Sequence, residues 1–178
     1  DILTGSDLKN QGATELDYML RTLVPSFNVN TQPISDAATL IRPANLRGLP
    51  PDNMLVLTIG KRRHRGAVIS FLGGGIADGA QGPDISAIPS IALKKVEVLR
   101  DGAAAQYGSD AIAGILNFVY KDAAEGYRLE IKSGEYKEGD GQTVRIGMNA
   151  GMPFTDDGYA NFTLELQETD PTARSNQH

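Results

Sequence analysis

The chain has no cysteine among its 178 residues. Disulfides and thiolate metal sites are therefore excluded, although the absence fits any compartment. Histidine is nearly as scarce. His64 and His178 are the only two, which argues against a zinc cluster. No run of 18 apolar residues occurs, so no transmembrane helix is expected. No charged-then-apolar leader precedes Asp1, so a signal peptide is expected to be absent or already removed. Positive charge does not dominate. Seventeen Lys and Arg stand against 22 Asp and Glu, giving a net charge of −5 and a pI of about 5.0. That composition lacks the basic footprint of a nucleic-acid binder. Aromatics make up only 6% of the chain, while glycine is frequent at 20 residues, which predicts a loop-rich molecule. The length suits one domain, or one domain with an appendage, and is enough to bury a core.

Residues 1–13 are polar and show little periodicity. Thr14 and Asp17 stand at capping-box spacing and predict a helix start. Leu16, Met19, Leu20 and Leu23 then fall on one helical face, and Pro25 ends the helix. Phe27 to Asn30 reads as a short strand and 31–38 as a polar loop. Pro43 makes the segment from Leu40 to Pro51 irregular or an edge. Leu55 to Ile59 is a continuous apolar run, as in a strand buried on both faces. Residues 60–84 hold seven glycines and read as a long loop. Pro89 can open a short helix. Val96 to Arg100 and Ile115 to Tyr120 read as strands. Between them, one helical turn at Ala103 to Gln106 ends at Gly108, which suits a left-handed cap.

After Glu125 the pattern becomes strict alternation. Tyr127, Leu129 and Ile131 alternate with polar residues. So do Val144, Ile146, Met148 and Ala150, and then Ala160, Phe162, Leu164 and Leu166. Glycine-containing turns separate the three runs, which predicts an antiparallel meander with one apolar face. The boundary falls near Ala123. Catalytic motifs are not met. Phe71-Leu72-Gly73-Gly74-Gly75 fits neither phosphate-loop template, and Gly108-Ser109 lacks the nucleophile elbow. Asp156-Asp157 fits a turn better than acid–base chemistry. No catalytic residue and no cofactor are expected.

One ordered set of short motifs runs through the chain. Ile88-Pro89 is followed by Val96-Glu97-Val98-Leu99-Arg100 and Tyr107-Gly108. Ala111, Gly114 and Asn117 then give Ala-x-x-Gly-x-x-Asn, and the run closes at Lys121. This order resembles the second half of the plug domain of TonB-dependent outer-membrane receptors. Leu46-Arg47-Gly48-Leu49 resembles the family's Ile-Arg-Gly segment, and Leu55 to Arg62 its next strand and glycine turn. Two departures stand out. Ile59 occupies the place of the usual Asp or Asn before Gly60, and Asp101 follows Arg100 where many members have Gly.

The resemblance implies an α+β plug-type domain with a small mixed sheet and short helices over residues 1–123. The first strands of a truncated outer-membrane β-barrel follow over 124–178. It implies the gate of a receptor for a ferric siderophore or other scarce nutrient, and not an enzyme. The implied partners are TonB, the protein's own barrel and a small-molecule nutrient or metal chelate. The implied place is the outer membrane of a Gram-negative bacterium, with the plug in the lumen facing the periplasm. No TonB box is apparent near Asp1, which puts that segment upstream or lost. Arg47 and Arg100 are implied contacts to acidic residues of the barrel wall. Glu97 joins them as a plug–barrel candidate, although strand parity puts it on the face opposite Arg100. Arg62, Arg63, His64, Arg65 and Phe71 are implied to lie in a ligand-facing loop. The alternative reading is a soluble periplasmic plug-like binding or signalling module without a pore. With only three barrel strands, the chain is expected to self-associate through unpaired edges.

Overall fold

Three apolar runs lie side by side. The computed structural model describes residues 1–31, 37–70, 75–156 and 158–172. Strand β1 (Ile2–Thr4) is followed by helices α1 (Gly5–Lys9) and α2 (Leu16–Leu23), then by strands β2 (Phe27–Val29) and β3 (Ala44–Leu46). Strands β4 (Met54–Thr58), β5 (Lys61–Arg62) and β6 (Leu93–Leu99) come next. Helix α3 (Ala103–Tyr107) and strand β7 (Gly114–Tyr120) complete the first of two units, Asp1–Lys121. The main sheet has the order β1-β6-β7-β4-β5, with β7 parallel to β4 and antiparallel to β6. This is the mixed sheet with short helices that the family resemblance implies.

Both faces of the sheet are covered, which explains the continuous apolar run in β4. On one face, Val56, Val96, Val98, Leu116 and Phe118 pack with Leu16, Met19 and Leu20 of α2 and with the β2–β3 hairpin. On the other, Leu55, Leu57 and Ile115 form a smaller cluster with Ala103 and Ala111. Burying side chains of this size contributes about 1.5–3 kcal/mol each.

The first residues depart from the expectation of a patternless start. Ile2–Thr4 forms an edge strand on β6, and Thr4 opens α1 with a reciprocal capping box. The Thr4 hydroxyl accepts from the Asp7 amide at 3.3 Å, and Asp7 Oδ2 accepts from the Thr4 amide at 2.8 Å. The Thr4 hydroxyl, which also donates to Asp7 Oδ2 at 2.7 Å, and the Thr4 amide hold the Asp7 carboxyl below its ordinary range. Elements of three and five residues are too short for periodicity to reveal. The capping box expected at Thr14 is not the helix start, because α2 begins at Leu16 with Glu15 at its N-cap. Lys61 and Arg62, expected in a loop, pair with β4 as β5. Gly108 caps α3 with φ 90° and ψ −171°, a glycine-only conformation rather than the left-handed helical one.

The β4–β5 hairpin turns on Ile59 and Gly60, with φ of +52° and +72°. Two positive φ values mark the hairpin turn that Asn-Gly fills best. A β-branched residue there costs about 1–2 kcal/mol. Two bonds hold the turn. The Ile59 amide donates to the Phe118 carbonyl at 2.9 Å, and the Gly60 amide donates to Asn117 Oδ1 at 3.0 Å.

The second unit, Asp122–His178, contains β8 (Gly126–Gly134), β9 (Thr143–Pro153) and β10 (Tyr159–Thr169) in an antiparallel meander ordered β10-β9-β8. Its register stacks Leu129, Met148 and Leu164 in one row and Ile131, Ile146 and Leu166 in the next.

The turn strain yields a direct test. Ile59→Asn should raise the stability of the first unit by about 1 kcal/mol, read as a higher urea midpoint at unchanged slope. A midpoint that stays or falls would show that the turn carries no strain.

Candidate functional site

β7 organises the first unit's polar contacts through two residues. Gly114 has φ +140°, and a Cβ there would lie 2.6 Å from the Leu99 carbonyl and 2.8 Å from Leu46 Cδ2. Only glycine lets the ends of β3 and β6 meet. Arg47 and Arg100 sit on those two ends. Arg47 takes φ +60° just after β3, and its amide donates to the Ser26 carbonyl at 2.9 Å. Its guanidinium Nη1 donates to the Arg100 carbonyl at 2.7 Å and to Asp101 Oδ1 at 2.8 Å. Arg100 forms an ion pair through Nη2 with the Asp1 carboxylate. Both arginines remain accessible, with side chains 47% and 33% exposed. A charged, partly hydrated pair of guanidinium groups therefore lies at one end of the sheet.

Asn117 organises the other face. It stands directly across from Glu97 on β6 and from Leu57 on β4. Its Nδ2 donates to Glu97 Oε2 at 2.8 Å, while its Oδ1 accepts from Gly60. Lys95, two residues before Glu97 on the same face, completes the group at 2.5 Å. The Lys95 and Asn117 hydrogen bonds hold the Glu97 carboxyl below its ordinary range. Glu97 thus sits in a network with Lys95 and Asn117, on the face opposite Arg100.

The basic run folds back along the sheet. Arg62 pairs with Asp110, and Arg63 Nε donates to the Asp84 carbonyl at 3.0 Å. Arg62, Arg63 and Arg65 line an open cleft of about 180 Å³ with Asp52 and Asp110. Three arginines against two aspartates leave the cleft walls with an excess of one positive charge. His64 is exposed and is not part of the lining. Phe71 lies outside the described residues. No group of three or more His, Cys, Asp or Glu that could hold a metal gathers among the described residues.

Sequence reasoning picked out Arg47, Arg100 and Glu97 but not what holds them. Asp1 carries no motif. Asp101 is visible only as a departure, and Asn117 only as a motif letter without a partner.

In the second unit the two sheet faces are inverted relative to a protein in water. Tyr127 is 90% exposed and Ile131 65%, while Arg145 on the other face is 4% exposed. Arg145 pairs with Glu165, and Glu130 pairs with Arg128 at 3.2 Å and Lys132 at 3.3 Å. Asn149 donates to Asn161 Oδ1 at 2.7 Å and Thr163 Oγ1 at 2.8 Å.

A mixed-sheet plug followed by a meander of this kind is the architecture of known outer-membrane receptors. The crystal structure of the siderophore receptor PirA from Acinetobacter baumannii superposes with a TM-score of 0.71 at 26% identity, covering 95% of this chain and 24% of that one. The family model described as TonB-dependent Receptor Plug Domain matches residues 1–115, and the chain belongs to that family. The ferric enterobactin receptor of Pseudomonas aeruginosa is 30% identical over 161 residues, covering 87% of this chain. The ferrienterobactin receptor of Escherichia coli is 29% identical over 170 residues, covering 93%. The chain spans about a fifth of the length of these curated relatives, 21% and 22%. These relatives are named as receptors, not as enzymes.

Asn117→Leu should destabilise the first unit by about 0.5–1.5 kcal/mol, because it removes the hydrogen bonds to the Gly60 amide and one Glu97 oxygen and leaves water to replace them. Asn117→Asp should destabilise at neutral pH by facing Glu97 with a second carboxylate, and should recover as pH falls and one of the pair is protonated. Urea unfolding at neutral and acidic pH checks both. Equal stability of wild type and Asn117→Leu would remove Asn117 from its bridging role. In the wild type, the lowered Glu97 pKa contributes stability that is present above the ordinary glutamate range and lost as pH falls below it.

Proposed function

We propose that this chain is the gating plug, residues 1–123, and the first wall strands, 124–178, of a TonB-dependent outer-membrane receptor that admits a ferric siderophore. The plug closes the barrel lumen, and TonB draws on its N-terminal side to open it. The receptor lies in the outer membrane of a Gram-negative bacterium. Arg47 and Arg100 meet acidic groups of the wall, where guanidinium offers two parallel bonds to a carboxylate. Arg62, Arg63, His64, Arg65 and Phe71 face the anionic chelate. The excess positive charge of the cleft supports that assignment for Arg62, Arg63 and Arg65. The siderophore class rests on the names of the relatives.

The observation that carries the reading is the inverted sheet. Its strands run for 9, 11 and 11 residues, which matches the length of a strand tilted across a bilayer. Apolar side chains line its exposed face, and charged and amide groups line the other, as in a barrel wall with lipid outside and a polar lumen inside. A sheet meant for water would bury the apolar face instead.

Detergent micelles test this. In buffer, the full chain should self-associate with rising concentration through the apolar face and open edges of β8 and β10. In dodecyl maltoside, it should disperse, and residues 126–169 should gain protection from protease. A chain that stays monomeric in buffer and ignores micelles would instead be the soluble plug-like module. A second test addresses the loop. Replacing Arg62, Arg63 and Arg65 together by Ala should weaken binding of ferric enterobactin at low salt, read by equilibrium dialysis. Unchanged binding would move the ligand away from this run.

A further inference from the structure

Two aspartates hold the paired arginines, and they differ in how firmly the fold fixes them. Asp101 follows Arg100 directly in the chain, on the short link from β6 to α3, and takes Arg47 at 2.8 Å. Asp1 belongs to the approach to β1, an edge strand of three residues that pairs with β6 alone. Two backbone bonds seat it. The Asp1 backbone nitrogen donates to the Val98 carbonyl at 2.8 Å, and the Val98 amide returns a bond to the Asp1 carbonyl at 2.8 Å. That register places Asp1 beside Val98 and diagonal to Arg100 on one face, so its carboxylate lies within reach of the guanidinium.

We propose that Asp1 is a detachable counter-ion for Arg100, whereas Asp101 is a fixed one for Arg47. Drawing β1 off the sheet from its N-terminal side loads Asp1 before any other residue of the strand. The Asp1–Val98 bonds and the Asp1–Arg100 ion pair then break together, and Arg100 loses its acid while Arg47 keeps Asp101. A short edge strand held on one side is the part of a sheet that opens at least cost. The position of the N-terminal strand is thereby converted into the charge balance at one of two adjacent arginines. In the receptor, a released Arg100 becomes free to exchange partners at the wall. This rests on the reading above that the N-terminal side is pulled. The clasp itself is a property of the first unit and needs neither barrel nor TonB.

Arginine labelling on the full chain separates the two aspartates. Phenylglyoxal modification, read by mass spectrometry, should proceed about two- to five-fold faster at Arg100 in Asp1→Asn than in wild type at low salt, the range set by an accessible ion pair. Arg47 should be unaffected by that change and should instead accelerate in Asp101→Asn. Hydrogen exchange supplies the coupling. The amides of Leu3 and Val98 should exchange faster in Asp1→Asn, return toward wild type in Asp1→Glu, and lose the difference at 1 M salt, where the screening length falls to about 3 Å. An Asp1→Asn chain with wild-type labelling at Arg100 and wild-type exchange in β1 overturns the clasp. An exchange difference that persists at 1 M salt, or that Asp1→Glu fails to restore, overturns it too, because the effect would then be packing rather than charge. Failure here leaves the transport reading standing, since the micelle experiment addresses that without reference to Asp1.

Discussion

The close approach of three strands at β7 is the constraint on which the first unit depends. β7 lies between an antiparallel and a parallel neighbour, so each of its side chains meets two others across the sheet. At Gly114 the neighbours come so near that no Cβ fits. Three residues on, Asn117 spans the sheet from Glu97 to the hairpin amide of Gly60. A hydrocarbon side chain at 117 would leave a donor and a carboxylate oxygen without their bonds, and a larger residue at 114 would push β3 from β6. The spacing Gly-x-x-Asn is therefore a packing rule and a hydrogen-bonding rule in one strand. It brings Arg47 to Arg100 and ties Glu97 to the opposite face.

That dependence explains what the sequence discloses and what it conceals. The strands at 54–58, 93–99 and 114–120 and the meander are legible because their side chains repeat with a period of two or run unbroken through a buried sheet. β1 is not, because three residues give no period and the strand exists only by pairing with β6, some ninety residues along the chain. The Thr4 capping box is hidden for the same reason, with the pattern at Thr14 offering a stronger local signal beside a longer apolar face. Arg47 and Arg100 are legible as motif positions, but their partners are not. Asp1 reaches Arg100 through strand register, and Asp101 reaches Arg47 through the meeting of two strand ends. Neither route leaves a trace in linear spacing.

Ile59 shows how a departure from a family pattern becomes physical. The hairpin demands positive φ at both turn positions, and the usual Asp or Asn there tolerates it. Isoleucine does not, yet the turn persists, since its amide and that of Gly60 are both claimed by β7. Tertiary hydrogen bonds thus impose a conformation that the local residue disfavours. Asp101 is the converse case. Replacing the common glycine introduces a charge rather than strain, and that charge has a partner in place at Arg47.

The two units answer opposite demands with the same alternation. In the first unit, apolar rows on both faces of the sheet are covered by helices, a hairpin and loops of the same unit, which shields them from water. In the second, rows such as Leu129, Met148 and Leu164 have no such cover, while on the shielded face Arg145 pairs with Glu165 and Asn149 bonds Asn161 and Thr163. Burying an arginine at 4% exposure is costly unless its charge is matched, and Glu165 matches it. Such an arrangement gains nothing in water, where the apolar rows would be better turned inward. It gains where the outer medium is hydrocarbon and the inner one is wet. In the first unit the exposed charges are treated differently: Arg47 and Arg100 stay partly hydrated at the end of the sheet, each matched by a carboxylate of the same unit.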